Sequence, residues 1–306
     1  MAPDISRFFF PILVLLGGCC FGPQNSIIKN AYGAGFATGE IVLAEYFFGF
    51  LILFFLSIGW SLLFRRKKGH VRPSKKTLLC LAGSGAMSGL VGILYTFSLQ
   101  FIPAYLGVII LFQFTWVGVV IQAVADRRLP DRRTVISVIL LLAGTVIASG
   151  IIGQSVEFHP LGCLLAFIAG VCYAFNMFFL GKTGNDMAPL YRSCVLVLVS
   201  LVLVTVVFGP QMASAGRIPY EIWMYGLYLG GIGCALPAIL FAIGMPKVSV
   251  DKAAILCSSE LPASIFCAML ILGEGVSLLQ WAGIALIFTG IALPHLAGAK
   301  QKAAAV

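Results

Sequence analysis

Charge is what this chain has least of. Only 10% of its 306 residues are charged, while 60% are hydrophobic. Soluble globular domains carry about 25% charged residues, so a water-soluble fold is excluded and lipid is the expected solvent. The bases outnumber the acids, 20 to 11, for a net charge of +9. Such an excess can serve nucleic acid, but these bases lie in short loops between apolar runs, and no nucleic-acid motif appears. Histidine is scarcer still: His70 and His159 fall in loops, and His295 ends the last apolar run. No H-E-x-x-H, Walker lysine loop or dinucleotide fingerprint occurs. No metal, no cofactor and no ATP-driven step is therefore expected. The nine cysteines all sit inside apolar segments without a C-x-x-C, and are read as small buried hydrophobes.

What is present is length of apolar sequence. A spanning helix needs about 20 mostly apolar residues, and ten segments qualify: 8–29, 40–64, 77–99, 104–125, 134–152, 160–181, 190–209, 221–244, 251–272 and 277–297. The first is read as a retained helix, since similar runs follow and no clear cleavage pattern ends it. Loops are short throughout, which leaves no room for a soluble domain. With the N-terminus placed in the cytoplasm, 18 of the 20 lysines and arginines fall inside and only Lys29 and Arg217 outside. By the positive-inside rule, both termini are cytoplasmic and the protein is a multi-pass protein of the inner, plasma membrane.

Sliding the chain on itself by about 150 residues lays LGGCCFGPQN (16–25) over IAGVCYAFNM (168–177), and LLLAGTVIA (140–148) over LIFTGIALP (286–294). Each half then holds five helices, and an odd number sets the halves in opposite orientations. The expected fold is an all-α polytopic membrane protein, ten transmembrane helices arranged as two inverted five-helix repeats, residues 1–152 and 153–306. Inverted repeats are a transporter architecture, with the site near the membrane midplane at the repeat interface.

The run SSELPASIFCAMLILGEGVSLLQWAGIALIFTGIAL (258–293) resembles the last two helices of an EamA domain of the drug/metabolite transporter superfamily. FGPQNSIIK (21–29) resembles that domain's first helix. The resemblance covers nearly the whole chain as two tandem copies. It implies a ten-helix carrier, commonly an exporter of metabolites or amino acids. Two departures stand out: the family's Glu-Pro pair appears here as Glu260-Leu261-Pro262, and the first copy has Phe114 where the second has the acid.

Glu260 is the sharpest candidate. Nine residues from Asp251 at 1.5 Å each put it about 14 Å deep, and acids at that depth usually face a cavity or partner. It is expected to exchange a proton or to pair with a substrate amine. The competing reading is a structural acid bonded to a neighbouring helix. Pro262 removes a backbone N–H beside it and permits a kink, and Ser259 adds a hydroxyl. The offset of 146 residues sets Gln113 and Phe114 opposite Ser259 and Glu260, so Gln113 and Trp116 are expected to line the same cavity. Gln24 and Asn25 in the first segment and Asn176 in the sixth are read as polar lining or as helix–helix glue. Tyr95 and Phe241 are repeat-related and expected to cap the cavity. Lys29 and Glu45 share a depth near the outer face, where an ion pair is expected and an outer gate charge is the alternative.

The expected function is a secondary transporter that moves a small organic metabolite, an amino acid or similar, by alternating access, exporting it by proton exchange. An uncoupled facilitator or uptake carrier is the nearest alternative, and a non-transporting sensor or scaffold is one of another class. An intramembrane enzyme would need a second acid or a histidine close to Glu260, and depth counting finds none. The expected partners are a small-molecule substrate and the lipid bilayer, not nucleic acid; a homodimer is left open.

Overall fold

A computed structural model describes residues 6–64, 73–152, 159–183, 187–215, 220–272 and 275–303. Most of the basic loop 65–76, Arg217 and residues 153–158 lie outside the described residues, as do the side chains of Asn25, Lys29, His295, Lys300 and Lys302. Among the described residues every regular element is helical. In order these are α1 (Ser6–Cys19), α2 (Phe21–Gly33), α3 (Thr38–Phe64), α4 (Lys75–Ser98), α5 (Ala104–Leu111), α6 (Phe114–Asp126) and α7 (Arg132–Ala148). There follow α8 (Pro160–Lys182), α9 (Pro189–Ala215), α10 (Ile222–Tyr228), α11 (Leu236–Gly244), α12 (Val250–Cys257), α13 (Glu260–Leu272) and α14 (Leu278–Ala303). A π-helical stretch, Leu229–Ala235, joins α10 to α11. In hydrocarbon every backbone polar group must find an internal partner, which is why the apolar runs become helices.

Seven helical stretches among the described residues are long and apolar enough to cross a membrane. Three expected spans are not among the seven. Segment 134–152 contributes the 17 residues of α7, segment 251–272 carries Asp251, Lys252 and Glu260 within ten residues, and in 277–297 the apolar stretch is only Leu278–Pro294.

Two expected spans are interrupted in the same manner. The fourth divides at Phe112–Gln113 and the ninth at Ser258–Ser259. At each point the backbone tightens to three-residue bonds: Gln113 N–H to the Ile110 carbonyl at 3.2 Å and Thr115 N–H to that of Phe112 at 3.1 Å, then Ser258 N–H to Ile255 at 3.3 Å and Ser259 N–H to Leu256 at 3.1 Å. Such turns are frequent at helix ends. Thr115 Oγ1 also donates to the Phe112 carbonyl at 2.9 Å. Pro262 withholds the N–H that the Ser258 carbonyl would take in a continuous helix.

Neighbouring glycines admit these breaks. A Cβ on Gly18 would stand 2.7 Å from Ser259 Oγ and 3.0 Å from the Cys257 backbone; one on Gly170 would stand 2.6 Å from the Leu111 carbonyl oxygen. The Gly-x-x-x-Gly pairs work the same way. Gly85 and Gly89 of α4 abut α9 at Leu196, Val199 and Ser200, while Gly226 and Gly230 abut α3 at Ala44, Phe48 and Gly49. Small residues at such spacing let backbones approach closely.

Packing pairs α7 with α14, α3 with α9 and α6 with α12. Helix α4 lies on α8 and α9, while α3 lies on α10 and the π-helical stretch, and α1 lies on α11. Arg192, counted with the loop bases from sequence, is buried: its guanidinium reaches back to the Leu180 carbonyl and Thr183 Oγ1 at the end of α8. A cation there complements the last, unpaired carbonyls of a helix. The tryptophans take the opposite position. Trp60, Trp116, Trp223 and Trp281 all face outward, 37–51% exposed.

Candidate functional site

The middle of the bundle holds a cavity of about 120 Å³. Since one ordered water needs roughly 10–15 Å³ on this measure, the space suits a small molecule or a cluster of waters. Its walls come from α2, α3, α4, α5, α8, α9, the π-helical stretch, α11 and α13; among the described residues α7 and α14 contribute nothing.

Glu260 opens α13 at the break and lines this cavity while being only 6% exposed overall. Among the described residues no hydrogen-bond donor meets its carboxylate. It lies within electrostatic reach of two buried hydroxyls, those of Tyr95 and Tyr173. The Tyr95 hydroxyl is fully enclosed without a partner among the described residues. Tyr173 lies beside Cys257, and its ring packs edge-on to Phe114 at 4.7 Å and to Phe21 at 6.2 Å. Phe21 in turn meets Phe241 at 6.0 Å. These rings form one wall.

A second acid stands in the same cavity. Glu45 of α3 is also only 6% exposed and lines the same space. Gln24 Nε2 donates to its Oε1 at 2.9 Å. Gln24 is a described partner of Glu45; the expected ion pair of Glu45 with Lys29 falls on a side chain outside the described residues. One expectation is corrected: the depth count separated the two acids too far. Glu45 lies about 8 Å from the outer face and Glu260 about 14 Å from the inner one, so in a core of roughly 30 Å the gap between their levels is only about 8 Å. Long side chains reaching into one cavity close that gap.

Asn176 of α8 also lines the cavity, its Oδ1 accepting a 2.6 Å bond from Ser84 Oγ. Tyr46 joins it, its hydroxyl held by the Ser88 carbonyl at 2.8 Å. Thus Glu260, Gln24, Asn176, Tyr95 and Phe241 are brought together, as is Glu45. Three candidates are not. Gln113 turns to local partners, donating to the Ile109 carbonyl at 3.1 Å and accepting from Trp116 Nε1 at 2.8 Å. Trp116 itself faces outward. The break rotates this stretch, so an amide that needed a partner finds it in its own turn. Ser259 ties α13 to α1, donating to the Leu15 carbonyl at 2.8 Å, and does not line the cavity. The side chain of Asn25 lies outside the described residues.

Sequence reasoning passed over Tyr173, Phe21 and Tyr46. The repeat alignment held the signal for the first two, because it sets Phe21 on Tyr173 as it sets Gln24 near Asn176. Among the described residues no cluster of His, Cys, Asp or Glu could hold a metal ion.

The profile of the EamA-like transporter family matches residues 160–294. Among curated relatives, YcbK of Bacillus subtilis (strain 168), named an uncharacterized transporter, is 21% identical over 95% of both chains. YwfM of the same strain, also named an uncharacterized transporter, is 27% identical over 61% of this chain and 62% of its own. An uncharacterized transporter of Archaeoglobus fulgidus is 28% identical over 46% of this chain, a match that spans about half, 52%, of that relative. A solved structure superposes with a TM-score of 0.75 at 16% identity, covering 98% of this chain and 99% of the other, so the fold is shared. The chain is thus a multi-pass helical membrane protein whose residues 160–294 match the EamA-like transporter family and whose relatives described above are named transporters.

Proposed function

We propose that this protein is a secondary transporter that carries a small organic metabolite, an amino acid or similar, across the inner membrane by alternating access, exporting it in exchange for protons. The observation that carries the reading is the central cavity with a buried acid, Glu260, at a helix break. Ionisable groups inside a membrane bundle mark substrate or proton paths, and discontinuous helices at mid-membrane supply polar groups where a closed helix would not.

The two-repeat organisation supports the motion. The breaks at Phe112–Gln113 and Ser258–Ser259 are 146 residues apart, which is the repeat offset, and a glycine in the first helix of the other half, Gly170 of α8 or Gly18 of α1, abuts each. The packing has the same exchange of halves: α4 on α9 answers α3 on the π-helical stretch, and α8 on α4 answers α1 on α11. Residues 1–152 and 153–306 can therefore rock against each other about the cavity.

Glu260 is the proposed proton carrier. No described donor holds it, so it can give up its proton to water or substrate when the cavity opens. The test begins with metabolite profiling of cells with and without the gene. Flux of the compound found is then measured in proteoliposomes under a proton gradient. Glu260→Gln keeps the shape and removes the exchangeable charge, and gradient-driven flux should vanish while the protein stays folded. Undiminished flux in that variant removes the coupling role, and an unchanged metabolite pool removes the transport reading.

A further inference from the structure

The second acid of the cavity has no role in the proton exchange described above. We infer that Glu45 is a binding group for substrate and that the substrate class is a small organic amine bearing a positive charge. The inference rests on the transporter reading and replaces its amino acid with an amine that lacks a carboxylate.

Three features point the same way. The first is charge. The lining contains two carboxylates, Glu45 and Glu260, one from each half, and no lysine, arginine or histidine among its described residues. Burying a carboxylate is costly unless a cation or donors meet it. An anion entering this space adds a third like charge. A zwitterion places its own carboxylate where no described base receives it. A cation meets both demands.

The second feature is the balance of donors and acceptors. Gln24 fixes Glu45 by donating to Oε1, which orients the acid and leaves acceptor capacity on the other oxygen. Opposite lies Gly233, where a Cβ would stand 3.1 Å from Gln24 Oε1. Gly233 belongs to the π-helical stretch, in which Leu236 N–H reaches the Gly231 carbonyl. Asn176 uses its oxygen on Ser84. The second Glu45 oxygen and the neighbouring Gln24 Oε1 are thus acceptors on the cavity wall, which suits an ammonium group with its three N–H donors.

The third feature is the wall. Phe21, Tyr173 and Phe241 present contiguous rings in the same lining, with Tyr173 within electrostatic reach of Glu260. Aromatic faces attract cations and also accept an apolar body. One carboxylate holding the ammonium group, with the rings holding the rest, is the arrangement this geometry accommodates.

The test uses the purified full chain and three probes with the same phenyl ring: 2-phenylethylamine, phenylalanine and 3-phenylpropionate. Thermal unfolding is followed against probe concentration. The amine should stabilise the protein, the zwitterion less, and the anion not at all. Glu45→Gln and Glu260→Gln should each weaken the amine's apparent affinity by about tenfold, the size expected for a hydrogen bond to a charged group. Stabilisation by phenylalanine or 3-phenylpropionate equal to that by the amine overturns the inference, as does no stabilisation by the amine. If either variant fails to fold, the order of the three probes on the unmodified protein decides by itself. Failure here leaves the transport reading intact, because metabolite profiling tests that without reference to charge.

Discussion

Gly170→Ala tests the close approach at the helix break with the smallest available change. The new Cβ would lie 2.6 Å from the Leu111 carbonyl oxygen, 3.4 Å from its carbon and 3.5 Å from Phe114 N. All three are backbone atoms, so no side chain can swing aside, and α8 or the end of α5 must move. Overpacking of this kind costs about 1–3 kcal/mol. Alanine also favours the helix over glycine by roughly 0.5–1 kcal/mol, which hides part of the penalty. Gly83→Ala supplies the control. It lies inside helix α4, and its Cβ would meet only the Phe179 ring, at 3.5 Å, an ordinary contact. Because the propensity gain is common to both, the difference between the two variants isolates the clash, about 1–3 kcal/mol. At roughly 2–4 °C per kcal/mol for a sizeable domain, the midpoints should separate by several degrees, with Gly170→Ala the lower. The assay is thermal unfolding of both variants in the same detergent. Equal midpoints would refute the tight contact between α8 and the break.

Gln24→Leu removes the donor to a buried carboxylate and should destabilise the protein by about 1–3 kcal/mol; Gln24→Glu should do worse, by setting two acids 3 Å apart, and an unfolding series ranks them. Gln113→Leu together with Trp116→Phe should leave substrate affinity within about twofold, since their mutual bond is local and outside the cavity; a tenfold loss in a binding titration would return both to the site. Topology is checked with reporter fusions: a tag at either terminus should report the cytoplasm and one near 153–158 the outside, and termini on opposite sides would break the even number of crossings.

Apolar runs made the helical membrane class readable without a structure, because in hydrocarbon nothing else satisfies a backbone. The acid at 260 was equally visible, since a carboxylate inside such a run is conspicuous at any alignment depth. What could not be read was how neighbours share the work. The described partner of Glu45 lies 21 residues away on the previous helix, and depth counting along single helices does not show that Gln24 turns toward the acid. Gln113 misled for the converse reason: its amide was expected to seek a distant partner, and a broken helix gave it one three residues on, at Trp116. Even the break had a trace. Pro262 announced the interruption in the ninth segment, but the fourth has no proline and relies on Thr115 capturing the Phe112 carbonyl.

The outward placement of all four tryptophans has a practical consequence for anyone watching this protein in light. None of Trp60, Trp116, Trp223 and Trp281 borders the cavity. A ligand that simply filled the centre would leave the indoles in their lipid and interfacial surroundings, and intrinsic fluorescence would stay constant. Trp116 is the exception worth following, because it is bonded to Gln113 on the hinge between α5 and α6. A change in emission on adding substrate would therefore signal bending of that hinge rather than occupancy, and a variant retaining only Trp116 would turn the break itself into an optical gauge of conformational exchange.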